Sequence, residues 1–184
     1  MKKTFLRPLL ATVAAALIFS CQQPAPGADE KSKDTGTTVQ EDTAITDQTV
    51  SPDEKNVIRL LAEKGKAKGP AIKYMPEWKA FGWFTAKDTI VWDVNVLKAG
   101  NYTVQMEWSV DDAEAGKSYV LTAGGASLKG VVGKSGSWET YVLKPIGRIE
   151  LKAGRQEIVF RPDADFSKGA LLDLRELQLT PENE

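Results

Sequence analysis

Histidine is absent from the 184 residues, and cysteine occurs once, as Cys21. A chain without histidine has no Ser-His or Cys-His nucleophile, no imidazole acid or base, and no ordinary zinc site. A single cysteine also excludes a disulfide within the chain. Carboxylates remain for acid–base work. Glu77, Asp93, Glu107, Asp111, Asp112, Asp163, Asp165 and Asp173 are the candidates, and two of them set about 5–10 Å apart across a glycosidic bond would suffice to hydrolyse it. No spacing singles out a pair, so the residues point away from catalysis and toward binding. The five Trp and four Tyr suit that purpose better. Trp92, Trp108, Tyr102 and Tyr119 lie in phase with aliphatic residues and read as core. Trp78, in Pro76-Glu77-Trp78-Lys79, stands outside any alternation, and Trp83 lies near a strand end.

Aromatic side chains can serve a ligand only on a rigid frame, and the stretch 80–110 supplies its centre. Ile90, Trp92, Val94 and Val96 alternate with polar neighbours, and so do Tyr102, Val104, Met106, Trp108 and Val110. A period of two puts each apolar set on one face of a strand. Gly100 and Asn101 between the runs tolerate a tight turn. Further strands are predicted at 71–75, 80–84, 117–123, 127–132, 138–143, 148–151, 157–161 and 171–179, punctuated by Gly, Asp and Pro as in an antiparallel sandwich. Leu172 and Leu174 fall out of phase with Leu177 and Leu179, which predicts a bulge near Arg175–Glu176. Before the strands, Ser51-Pro52-Asp53-Glu54 reads as a capping box. With Val57, Ile58, Leu60 and Leu61 behind it and Gly65 as a stop, it predicts a short amphipathic helix over 51–66. Lys64, Lys66 and Lys68 would then form its solvated basic end.

The first fifty residues are of another kind. Lys2, Lys3 and Arg7 precede an apolar run at 9–19, about half the length of a membrane span, which reads as a signal peptide over 1–20. Leu17-Ile18-Phe19-Ser20-Cys21 resembles the lipobox of bacterial lipoproteins. That resemblance implies diacylglycerol on the Cys21 sulfur, cleavage before it, and a lipid-anchored chain in the cell envelope. Gln22, where an inner-membrane retention signal would have Asp, points to the outer membrane and leaves its face open. Residues 22–50 are polar and carry six acids against two lysines. They offer too little apolar surface to offset the entropy of ordering and read as an acidic tether. The whole chain has net charge -1 and no basic stripe, so nucleic acid is not an expected partner.

The remaining motifs resemble one group of folds. Gly82-Trp83, Val91-Trp92-Asp93-Val94 and Lys98-Ala99-Gly100-Asn101-Tyr102-Thr103-Val104 resemble the opening of galactose-binding-like β-sandwich modules. Ser135-Gly136-Ser137-Trp138-Glu139-Thr140-Tyr141 is similar to the T-G-x-W-x-x-[WY] segment of carbohydrate-binding module families 6 and 35, and residues 151–158 resemble the strand pair that follows it. Ile72 to Glu77 and Leu172-Asp173-Leu174-Arg175 resemble the first and last strands of modules appended to bacterial sulfatases and α-L-fucosidases. The likeness covers about residues 70–181. It implies an all-β jelly-roll sandwich over 67–184 that binds a glycan without catalysis. The loop aromatics would be Trp78 or Trp83 with Trp138 or Tyr141, each with a buried sandwich residue as the competing reading. Glu77 would line the same site, with the polar contact to a sugar hydroxyl coming from Asp163, Asp165 or Lys168. Sugar-binding members of these families carry Asn where this chain has Leu171, a departure that favours a module docking an envelope protein or enzyme. Asp173 aligns with an Asp that holds a structural calcium in such modules; an ion pair with Arg175 or a lysine is the competing reading.

Overall fold

A computed structural model describes residues 48–182; the leader, Cys21 and nearly all of the acidic tether lie outside the described residues. Among the described residues, eleven strands form two antiparallel sheets. The first contains β1 (Ile58–Leu61), β3 (Lys73–Met75), β4 (Ala80–Gly82), β6 (Gly100–Ser109), β9 (Val142–Leu151) and β11 (Asp173–Pro181), in the order β3-β4-β11-β6-β9 with β1 also on β11. The second contains β2 (Lys66–Lys68), β5 (Thr89–Val96), β7 (Ser118–Ala123), β8 (Ala126–Val131) and β10 (Gly154–Pro162), in the order β2-β5-β10-β7-β8. The inner faces of the two sheets make one core. The alternation in β5 and β6 buries Trp92, Val94, Val96, Tyr102, Val104, Met106 and Trp108. Their polar handles are satisfied. Trp92 Nε1 donates to the Leu61 carbonyl at 2.8 Å, Trp108 Nε1 to that of Gly133 at 2.9 Å, and the Tyr102 hydroxyl to that of Lys98 at 2.7 Å. A buried indole or phenol left without such a partner would be costly.

The bulge falls where the leucine phase predicts it, since the β11–β6 register shifts between Leu174 and Glu176. It also divides one edge of β11 between two partners, β4 at Leu174 and β1 from Glu176 to Leu179.

The helix expected over 51–66 does not form. The Asp53 carboxylate accepts from the amides of Lys55 and Val57, both at 2.9 Å, and Asn56 adopts φ +59°. These contacts close a turn. The apolar run then takes the strand period, with Ile58 and Leu60 wholly buried and Arg59 exposed between them. Pairing with β11 gives this segment both backbone partners and a buried face, whereas a lone short helix would be marginal. Only one turn of 3-10 helix follows, at Ala62–Lys64. Gly65 ends that turn, its amide donating to the Ala62 carbonyl at 2.9 Å, and it is also sterically required, since a Cβ there would lie 2.7 Å from Ile90 and 3.0 Å from Trp92. A second correction joins two predicted strands. Residues 138–141 are loop, and β9 runs unbroken from Val142 through Pro145 to Leu151. β9 is the outer strand of its sheet, where a proline's missing donor is tolerated, and Gly147 at φ +141° takes up the irregularity.

Candidate functional site

Four loops and two strand ends surround a cavity of about 530 Å³, within the roughly 300–1,000 Å³ typical of ligand pockets. Trp83 stands on its rim just after β4. It is 64% exposed and holds φ +60°, a left-handed backbone that costs a bulky residue roughly 1–3 kcal/mol. The loop behind it is pinned by Asp88, a wholly buried carboxylate. Asp88 accepts from the Thr85 amide and hydroxyl, both at 2.7 Å, and from the Ala71 amide at 3.2 Å. Burial alone would raise this carboxyl; the hydrogen bonds from Thr85, Ala71 and Ile72 together outweigh it and hold the group below its ordinary value. Thr85 and Ala71 themselves line the cavity, so one buried side chain fixes two parts of its wall.

Trp138 enters from the loop before β9. It packs partly against the core, and its carbonyl accepts from Ser109 Oγ at 2.7 Å. Ser135 Oγ ties the same loop to the amide and carbonyl of Val110, at 2.8 and 2.9 Å. Met75, at the end of β3, and Asp173, at the start of β11, close the floor. Both crowd Gly82, where a Cβ would lie 2.6 Å from the Met75 methyl and 2.7 Å from Asp173 Oδ1. No described residue hydrogen-bonds or ion-pairs with the Asp173 carboxylate, and burial pushes its pKa up to about 6.

The structure therefore brings Trp83, Trp138 and Asp173 into one site and sets the other predicted residues apart from it. Trp78 and Tyr141 stack on each other, with centroids 6.3 Å apart. Arg175 lies 3.6 Å above the Tyr141 ring and donates to the Trp78 carbonyl at 3.1 Å and to Glu107 at 2.8 Å. Tyr141 is thus held in an arginine stack outside the cavity lining, and Arg175 is not the partner expected for Asp173. Glu77 is exposed in the turn between β3 and β4. Asp163 pairs with Lys129 at 3.0 Å, and Asp165 borders a separate open hollow beside Phe166. Leu171 is buried completely; it belongs to the core and offers no polar contact.

A hard cation such as calcium takes six to eight oxygen ligands. Asp173 has methionine and indole neighbours, and no cluster of three His, Cys, Asp or Glu occurs among the described residues. This floor does not fit a calcium ion. Sequence reasoning missed Met75, Thr85 and Asp88. The Thr85-x-x-Asp88 spacing of a side-chain-capped turn was the available signal for two of them.

No protein-family model matches the chain, and no curated protein matches it. Solved structures do. A family 35 carbohydrate-binding module from Clostridium thermocellum aligns with TM-score 0.55 and 17% identity, over 66% of this chain and 97% of that one. The family 6 module of Cellvibrio mixtus lichenase 5A, in complex with cellotriose, aligns with TM-score 0.53 and 15% identity, over 68% and 97%. An exo-β-1,3-galactanase from Phanerochaete chrysosporium aligns with TM-score 0.54 and 21% identity over 67% of this chain, which spans only 29% of that enzyme. The two-sheet framework described above is the jelly-roll fold of family 35 and family 6 carbohydrate-binding modules.

Proposed function

We propose that this protein binds glycans without catalysis, in the cavity between Trp83 and Trp138. The observation that carries the reading is Trp83: an indole left 64% exposed, on a strained backbone, at the mouth of a cavity with a second indole in its wall. Sugar rings present apolar C–H faces to such surfaces, and a few aimed polar groups set their orientation. The shared fold with carbohydrate-binding modules supports the reading. The lining offers one carboxylate, whereas hydrolysis by a carboxylate pair needs two. Binding of the full chain to a glycan array, lost in Trp83→Ala with the melting temperature kept, is the expected result. An array on which the folded parent binds nothing refutes it and leaves docking of an envelope protein as the function to test.

The second half of the proposal concerns location. The lipobox-like segment ending at Cys21 supports attachment of the chain to the cell envelope through lipid, most simply at the outer membrane. Cys21→Ala should move the protein from the membrane fraction to the soluble one; a variant that stays with the membrane would refute lipid anchoring at this residue.

A further inference from the structure

Among the described residues, Asp173 is the only charged side chain in the cavity lining, and the charged groups around it are committed elsewhere. Arg175, two residues along β11, lies across Tyr141 and pairs with Glu107 of β6. Ser109, opposite Asp173 on β6, gives its hydroxyl proton to the Trp138 carbonyl. Lys73, in register with Gly82 across β3 and β4, makes no ion pair with it. On the loop before β11, Lys168 borders the separate hollow. Gly169 rests against Glu114, whose carboxylate is paired with Lys117. Asp88, behind Thr85, is bound by Thr85 and Ala71. The cavity lining around Asp173 is indole, thioether and methyl surface, and the one titratable group near enough to feel its charge is the Tyr141 phenol, which stays neutral because burial, chiefly, and Asp173 itself raise its pKa.

An unpaired carboxylate in such surroundings is poorly solvated once ionised, and a neutral sugar compensates it only through hydroxyl donors. An anionic sugar is repelled. An ammonium group satisfies both halves of the site, because it forms a charge-assisted hydrogen bond to the carboxylate and is attracted to the faces of the neighbouring indoles. Resting on the reading of this cavity as a glycan site, we propose that it selects sugars bearing a free, protonated amine over their N-acetylated, neutral and uronic counterparts.

Calorimetry of the full chain with the tetrasaccharides of glucosamine, N-acetylglucosamine and glucose tests this. At pH 7 the glucosamine oligomer should bind at least ten-fold more tightly than the other two. At pH 5 its affinity should fall about three-fold, because the Asp173 carboxyl, with its pKa pushed up to about 6, is then largely protonated, which outweighs the further protonation of an amine already partly charged at pH 7. Asp173→Asn should bind the three alike. Equal or tighter binding of a neutral oligomer by the parent at pH 7 overturns amine selection and leaves the glycan reading standing. A preference that survives in Asp173→Asn also overturns it, since it would reflect general attraction of a polycation to an acidic chain. No binding of any oligomer by the folded parent overturns amine selection and leaves the glycan reading to be decided by the array. The pH series on the parent decides the matter even if the variant does not fold.

Discussion

Changing Asp173 to Asn keeps the shape of the side chain and removes its charge, which allows the electrostatic cost of the cavity floor to be measured in the absence of ligand. The group's ordinary pKa is 3.8 and in the fold it is about 6, with burial as the cause. A carboxyl raised in this way binds its proton more tightly in the folded chain than in the unfolded one. The folded state therefore loses stability as pH rises from about 4 to 6 and loses no more beyond that. At 1.36 kcal/mol per pH unit, the loss is about 2–3 kcal/mol, toward the lower figure because the group is only half-buried. Asp173→Asn escapes this loss. Urea unfolding at pH 8 should find the variant more stable than the parent by about 2 kcal/mol, and the difference should vanish near pH 3.5. A variant equal to or weaker than the parent at pH 8 would refute the reasoning, because it would mean that the carboxylate gains in the folded state an interaction that the geometry does not contain.

Two further substitutions probe the frame around the cavity. Asp88→Ala leaves the Thr85 and Ala71 amides without their acceptor in a buried place, which should cost about 3 kcal/mol at neutral pH. Because hydrogen bonding holds that carboxyl below its ordinary value, its contribution is present above the ordinary carboxylate range and is lost as pH falls through the lowered value, so melting curves of parent and variant should converge in acid. Gly130→Ala would set a methyl 2.3 Å from the Tyr119 hydroxyl oxygen and 2.4 Å from its Cζ. Tyr119 is fully buried and has no room to retreat, so a loss of about 1–3 kcal/mol is expected in denaturant unfolding.

The sequence made the core legible because a period of two is a geometric statement about side-chain direction. Trp92, Tyr102, Trp108 and Tyr119 could be assigned to the interior from alternation alone, and the bulge at Arg175 followed from one break in that phase. The same logic failed at 51–66, where Val57, Ile58, Leu60 and Leu61 satisfy a short helix and a short strand equally well. The choice was made by β11, more than a hundred residues away, whose bulge left half an edge to be paired. Long-range pairing also decided the site. Trp83 and Trp138 were readable as surplus aromatics. That Tyr141 and Trp78 would close on Arg175 depended on which face of β11 follows the bulge. Asp173 reads from sequence as a calcium ligand or an ion-pair partner, and its isolation comes from Arg175 choosing Glu107, a competition that no local spacing encodes.

β11 also has a consequence in time. It is the latest of the eleven strands in chain order, yet it lies in the interior of its sheet, with β6 on one side and β4 and β1 on the other. While the chain is being made, residues 58–61, 80–82 and 100–109 must wait for residues 173–181 with their pairing edges open. The second sheet can assemble earlier, since β2, β5, β10, β7 and β8 are all finished by Pro162. Folding of this kind is dominated by contacts between distant residues and is correspondingly slow. In the interval the half-built sheet exposes the edges most prone to pair with another molecule. The order of synthesis thus sets the period in which this protein is most vulnerable, and that period ends when β11 arrives.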